Sequence, residues 1–269
     1  MTVKTALEQG TQLLNGDRLN AEVLLAHAMR CDRTYFYAHP EQELTQIHWI
    51  HYGRYLHERK TGKPTQYITG KQEFYGREFK VTPAVLIPRP ETELLVEAVL
   101  KRIQKGRVAD VGTGSGAIAI TLARESQLEV IATDISPAAL LVAKQNCGRD
   151  FSRVSFLQTD LLSPIADHSL DTVVSNPPYV PERDRETLQP EVRDWEPHQA
   201  LFAGPEGLDV YRRLILEAER VLKPGGLLAM EIGQGQAEAI RALLHNWKNV
   251  DIAPDLAGIP RVVLARAVS

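Results

Sequence analysis

Two short stretches concentrate residues able to do chemistry: Asp110-Val-Gly112-Thr113-Gly114-Ser115-Gly116 and Ser175-Asn176-Pro177-Pro178-Tyr179. In the first, glycines let the backbone approach a ligand closely and take conformations that a Cβ forbids. Asp134 lies 18 residues after Gly116, where a carboxylate can accept hydrogen bonds from both hydroxyls of a ribose. The glycine spacing alone also satisfies a dinucleotide fingerprint, Gly112-x-Gly114-x-x-Ala117. Asp110 discriminates. A carboxylate facing the ligand repels a pyrophosphate but suits a cationic sulfonium or an ammonium, and S-adenosylmethionine carries both.

The second stretch suits a planar amide or base. Consecutive prolines fix φ and remove two backbone donors, which leaves a stiff segment rich in acceptors. The Asn176 side-chain oxygen and the Pro177 carbonyl can each accept one hydrogen of a substrate –NH₂, and Tyr179 offers a flat face for stacking. An amide nitrogen is a poor nucleophile because its lone pair is delocalised. Holding both hydrogens with the methyl donor along the lone-pair direction favours a pyramidal nitrogen, through positioning and preorganised electrostatics.

Both stretches need strand ends to carry them. After Gly106 the sequence alternates apolar strands and helices: strands at 107–111, 130–133, 154–157, 172–174, 227–232 and 262–265, helices at 117–124, 137–146, 208–222 and 237–245. This predicts a parallel sheet covered on both faces. In such sheets ligands bind beyond the carboxyl ends of the strands, where both stretches fall. Helices are also predicted at 5–14, 19–30 and 45–59, and from Glu91. The aromatic and β-branched stretch 66–81, with Gly70 and Gly76, reads as two short strands and a turn.

The net charge is −3, with +2 over residues 1–85 and −5 over the rest. Neither part carries the strongly basic face of a duplex binder. Cys31 and Cys147 form no Cys-x-x-Cys unit, Glu8 interrupts any secretory apolar stretch, and no run approaches a membrane span. A soluble, cytoplasmic, monomeric protein without stable nucleic-acid binding is expected. His48 and His51 lie three apart on a helix with no carboxylate or cysteine in register, so they read as surface or packing residues and no metal is expected.

Taken together, the Asp-Val-Gly-Thr-Gly-Ser-Gly loop and Asn-Pro-Pro-Tyr resemble the class I S-adenosylmethionine-dependent methyltransferases. The closer resemblance is to the HemK-like protein-glutamine methyltransferases that modify peptide chain release factors. Leu86-Ile-Pro-Arg89-Pro-Glu91-Thr-Glu93 and Glu191-Val-Arg-Asp-Trp195-Glu196-Pro197 are similar to that family's signatures, as are Gly204-Pro-Glu-Gly207-Leu208 and Ala21-Glu22-Val-Leu24-Leu25. The resemblance implies an α/β, Rossmann-like, doubly wound and mostly parallel seven-stranded sheet. It divides the chain into a helical substrate-docking domain (1–64), a β-hairpin linker (65–85) and a methyltransferase domain (86–269).

For the site, the resemblance implies that Asp110, Gly112, Thr113, Gly114, Ser115, Gly116, Asp134, Asp160, Leu161 and Asn176 hold S-adenosyl-L-methionine. Asn176, Pro177, Pro178 and Tyr179 would grip a glutamine from the Gly-Gly-Gln loop of a class I release factor. Arg89 and Glu91 lie beside the site in such enzymes; an ion pair bracing the linker is the other reading. The Arg54, Arg59, Lys60, Lys63 cluster either faces an acidic partner or is a solvated helix end. Asn-Pro-Pro-Tyr is shared with enzymes that methylate the exocyclic amine of adenine, which is the alternative substrate. A nicotinamide dehydrogenase gives Asn176 to Tyr179 no role.

Overall fold

The computed structural model describes residues 1–148 and 152–268. Contacts divide the chain into two units, Met1–Lys71 with Gln189–Trp195, and Gln72–Leu188 with Glu196–Ser269.

The first unit is helical: α1 (Val3–Leu13), α2 (Arg18–Met29), α3 (Tyr35–Ala38), α4 (Gln46–Lys60) and α5 (Thr65–Thr69). Thr2, Asp17 and Thr45 cap the three long helices by accepting from the amides of Thr5, Asn20 and His48, satisfying donors that a helix start leaves unpaired. Val3, Leu7, Leu24, Leu25, Tyr52 and Leu56 form its core. Within it the buried Glu22 is held by Arg18 and Arg33, each at 2.8 Å. A strand was expected to begin at 66, but Pro64 and a left-handed Gly70 bracket the single helical turn α5 instead. Residues 189–195, placed by sequence in the methyltransferase domain, pack with this unit. Their short helix, Pro190–Trp195, is tied by Glu191 to Arg59 at 2.6 Å, and the Lys63 ammonium lies 6.0 Å from the Trp195 ring centre. Lys63 also pairs with Glu58 at 2.6 Å and Arg54 with Glu58 at 3.6 Å. Three of the four cluster cations are thus matched within the unit.

The second unit begins with the hairpin strands β1 (Lys71–Phe74) and β2 (Arg77–Lys80), then α6 (Glu91–Leu100). Alternation follows: β3 (Lys105–Val111), α7 (Ala117–Glu125), β4 (Gln127–Asp134), α8 (Pro137–Cys147), β5 (Val154–Gln158) and β6 (Leu170–Ser175). The chain continues through α9 (Asp209–Val221), β7 (Leu222–Glu231), α10 (Ala237–Leu243), β8 (Lys248–Pro254) and β9 (Pro260–Arg266). The seven-stranded sheet has the order β5-β4-β3-β6-β7-β9-β8, parallel except for β9. Because side chains alternate along a strand, Val108 joins one core layer with Leu95, Val96 and Ile118, while Ala109 joins the other with Leu214, Ile215 and Ile240. Helices therefore cover both faces, as the apolar runs require. The seventh strand, β8, has no counterpart among the strands located by sequence. It is an edge strand offering only Val250, Ile252 and Ala253, all half-buried.

Pairing also fixes where the site falls. Val111 pairs with Thr133 on one side and Ser175 on the other, and Ser175 pairs with Met230. The residues one step further along, Gly112, Asp134, Asn176 and Glu231, therefore emerge side by side at the carboxyl ends of four neighbouring strands.

Candidate active site

The glycine loop is built around two carboxylates. Gly112 and Thr113 both donate their amides to the Thr133 carbonyl at 2.9 Å, and Gly114 donates to Asp134 Oδ2 at 2.9 Å. Asp134 Oδ1 accepts from the Ser136 amide at 2.9 Å. Each oxygen keeps a lone pair for a further donor, and burial pushes this half-buried carboxyl up against the pull of those amides. At Gly112, φ is +71° and the space a Cβ would occupy is empty. At Gly116 the reason for glycine differs: a Cβ would lie 2.8 Å from Ile120 Cδ1 and 3.2 Å from Ala143 Cβ, where α7 and α8 close together.

Asp110 departs from expectation. Its side chain is wholly buried instead of facing the crevice. Oδ2 accepts from Thr113 Oγ1 at 2.6 Å and from the Ala119 amide at 3.1 Å, so it pins the loop and caps α7. Oδ1 is buried with no hydrogen-bond partner among the described residues. Burial pushes the carboxyl up to about 7. From beneath the loop this carboxyl could act on a ligand only electrostatically. The Thr113 hydroxyl is committed to Asp110, and Ser115 is buried.

Asp160 and Leu161 follow β5, and the neighbouring Thr159 amide donates to the Asp134 carbonyl at 3.1 Å, which brings this turn beside Asp134. The Asp160 carboxylate is half-exposed and paired with Arg213 at 2.6 Å. Leu161 has φ +51° and packs aliphatically against the core layer of α9.

On the other side of β3, Ser175 Oγ donates to the Val111 carbonyl at 2.7 Å. Asn176 Nδ2 donates to Thr92 Oγ1 at 3.1 Å, and Thr92 Oγ1 donates to Glu231 Oε2 at 2.6 Å. Among the described residues no hydrogen bond occupies Asn176 Oδ1 or the Pro177 carbonyl. Tyr179 is held from behind: its carbonyl accepts from Gln236 Nε2 at 3.0 Å, while Gln236 Oε1 accepts from the Gly233 amide at 2.9 Å. Burial pushes the Tyr179 phenol up to about 12, so it stays neutral.

Arg89 does not pair with Glu91. It reaches Glu196 at 2.5 Å, whose other oxygen accepts from the Ile87 amide at 3.3 Å. The segment Leu86 to Glu93 is thus anchored on Glu196, which is buried. Glu91 is exposed in the first turn of α6, where a carboxylate complements the helix dipole. Thr92, Glu231 and Gln236 were not singled out from sequence. Glu231 carried a usable signal, a lone acid closing the apolar run Leu227-Leu-Ala-Met-Glu231; Thr92 and Gln236 carried none.

The strand order with its single antiparallel member, the glycine loop after the first sheet strand and the acid ending the second define a class I S-adenosylmethionine-dependent methyltransferase. Solved structures share the fold. A methyltransferase from Pyrococcus furiosus matches with TM-score 0.55 at 16% identity, covering 73% of this chain and 91% of that one. A T. thermophilus 16S rRNA methyltransferase in complex with AdoMet and guanosine matches with TM-score 0.55 at 20% identity, over 73% of this chain and 49% of that one. Family models match as the methyltransferase small domain over residues 90–191 and the PrmC N-terminal domain over residues 5–70. Release factor glutamine methyltransferases from Koribacter versatilis (strain Ellin345) and Moorella thermoacetica (strain ATCC 39073 / JCM 9320) are 47% and 44% identical. They cover 99% and 98% of this chain, and the same shares of their own length. The chain belongs to the release factor glutamine methyltransferase family.

The residues present fit the cofactor of that class. An open cradle at Gly112, a strand-end carboxylate with spare acceptor capacity at Asp134 and an unpartnered buried acidic oxygen at Asp110 suit, in turn, close backbone approach, ribose hydroxyls and a cationic centre.

Proposed function

We propose that the protein methylates the side-chain amide nitrogen (N5) of the glutamine in the Gly-Gly-Gln motif of class I peptide chain release factors. S-Adenosyl-L-methionine supplies the methyl group and leaves as S-adenosylhomocysteine. The observation that carries the substrate reading is the Asn176 side chain. Its –NH₂ is committed to Thr92, so its oxygen is presented beside the Pro177 carbonyl as a pair of acceptors. Acceptors without a donor between them match an incoming –NH₂ and would leave an incoming carbonyl unpaired.

In this reading Asn176 and Pro177 hold the two amide hydrogens, Pro178 keeps the segment stiff, and Tyr179 packs against the amide plane. Gly112 to Gly116, Asp134 and the Asp160–Leu161 turn hold the cofactor. Arg89 and Glu196 brace the segment entering α6, and residues 1–64 serve as a docking domain. A substrate that works on the ribosome puts the reaction in the cytoplasm, and the enzyme is read as a monomer. The E. cuniculi complex responsible for methylating the eRF1 translation termination factor shares this fold with TM-score 0.51 at 22% identity, over 69% of this chain and 99% of that one.

Mass spectrometry of a purified class I release factor incubated with the protein and S-adenosyl-L-methionine tests the proposal. One added methylene on the Gly-Gly-Gln glutamine, absent with Asn176→Ala although that variant still binds cofactor, is the expected result. No methylation despite cofactor binding would overturn the substrate and make adenine the next acceptor to try.

A further inference from the structure

Behind Asn176 lies a feature that the chemistry of methyl transfer does not require. Glu231 ends β7 only 2% exposed, and among the described residues the one side-chain donor to its carboxylate is the Thr92 hydroxyl at 2.6 Å. Burying a carboxylate with one hydrogen bond is costly, and nearby cations do little to offset it. Arg261 is engaged by Asp255 at 3.1 Å and Arg89 by Glu196 at 2.5 Å.

The geometry of the three groups gives this carboxylate a use. A threonine hydroxyl has one hydrogen and two lone pairs, whereas an ionised carboxylate only accepts. With the Thr92 hydrogen directed to Glu231, the side of Thr92 Oγ1 facing Asn176 offers lone pairs alone. The nearer end of the Asn176 amide must then be its –NH₂, and the oxygen is left facing outward. An asparagine can otherwise turn over at almost no steric cost, and the flipped amide would meet a substrate –NH₂ with donors.

We propose that Glu231 and Thr92 are positioning residues that set, through one directed hydrogen bond each, which end of the Asn176 amide is offered to the substrate. This rests on the reading of Asn176 as the substrate acceptor. Protonated Glu231 can itself donate to Thr92, which frees the threonine hydrogen to turn toward Asn176 and lets the amide flip. The relay therefore works with Glu231 ionised. The titratable and charged groups around it are Arg89 and Glu91 at the start of α6, Arg261 on β9, Tyr179 after β6 and Tyr211 on α9, whose hydroxyl donates to the Glu231 carbonyl at 2.9 Å. Burial pushes the Glu231 carboxyl up to about 7, which puts its titration where turnover can be followed.

The test compares Thr92→Val, Thr92→Ser, Glu231→Gln and the double variant Thr92→Val/Glu231→Gln. Each is measured for kcat at saturating substrates, cofactor Kd and Tm. Thr92→Val and Glu231→Gln should each lower kcat by about 100-fold, the scale of a mispositioned reacting group, with cofactor Kd unchanged. Thr92→Ser should restore turnover. The double variant should be no slower than the slower single, since both break one relay. Wild-type kcat should fall as pH drops through about 7, and Glu231→Gln should lose that limb. Wild-type kcat in Thr92→Val, a Thr92→Ser variant as slow as Thr92→Val, or losses that multiply in the double variant would each overturn the relay. Should Glu231→Gln fail to fold, the two Thr92 variants decide. Asn176→Ala is measured alongside. Full turnover there removes the acceptor reading itself, whereas an inactive Asn176→Ala beside an unimpaired Thr92→Val removes only the relay.

Discussion

The Ser175 hydroxyl donates to the Val111 carbonyl at 2.7 Å, so the last residue of β6 is bonded to the last residue of β3. The residues that follow, Gly112 and Asn176, each belong to one of the two functional stretches. This buried bond therefore ties together the two segments proposed to hold cofactor and substrate. Ser175→Ala should cost about 1 kcal/mol of stability, as for a typical buried hydrogen bond. It should lower kcat by up to about tenfold, because small displacements of reacting groups are felt steeply. Chemical denaturation and steady-state kinetics on the same variant check both. Lost stability with unchanged kcat would mean that main-chain pairing alone holds the spacing.

Gly112 and Gly116 separate binding from folding within one loop. Alanine at Gly116 meets Ile120 Cδ1 at 2.8 Å and adopts φ +83°. Left-handed strain of about 1–2 kcal/mol and overpacking of about 1–3 kcal/mol should together lower Tm by on the order of 10 °C. Alanine at Gly112 has only the strain to bear, because the space beside it is open. Its Tm should fall by a few degrees, while its methyl group intrudes where the cofactor backbone contact is made and cofactor affinity drops. Calorimetric titration and thermal melts of the two variants should give opposite rankings.

Much of this organisation was legible in the residues. Apolar runs such as Leu227 to Met230 announced buried parallel strands, and the motifs falling at strand ends announced the crevice. What was hidden depended on long-range partners. Asp110 was expected to face a cation, yet Thr113 and Ala119 turn it inward, a choice that only the folded loop makes. Arg89 found Glu196, 107 residues away, instead of Glu91 two positions on. Composition misled at 65–69, where β-branched and aromatic residues form a helical turn between Pro64 and Gly70. The strand β8 escaped because an edge strand needs few apolar residues to hold its place.

Asp134 should be required for cofactor binding through two routes at once. It would accept from the ribose hydroxyls, and it already holds the Gly114 amide at 2.9 Å. Hydrogen bonds to a charged group are each worth about 1.5–3 kcal/mol, so Asp134→Ala should raise cofactor Kd by at least about tenfold. Isothermal titration measures this directly. Unchanged affinity would place the ribose elsewhere.

The buried Asp110 should make the ligand-free protein less stable as pH rises. Its carboxyl is pushed from an ordinary 3.8 up to about 7 in the folded chain. Between those values the folded protein keeps a proton that the unfolded chain has released, so stability falls with rising pH across that window; the full penalty stands above it and none remains below it. Glu231, raised to about 7, adds to the same slope. Asp17, Glu22, Asp171 and Asp255 are held below the usual carboxylate range by hydrogen bonds and cations that outweigh their burial. They stay ionised down to about pH 5 and do not contribute to that slope. Asp110→Asn retains an acceptor for Thr113 and Ala119 without the buried charge. Its Tm should exceed that of the wild type near pH 8, the gap should close toward about pH 5, and its cofactor affinity should fall because an amide attracts a cationic centre weakly. Thermal melts at the two pH values and a cofactor titration measure all three. An unchanged pH dependence in Asp110→Asn would assign the slope to Glu231 and Asp134, whose carboxyls burial also raises.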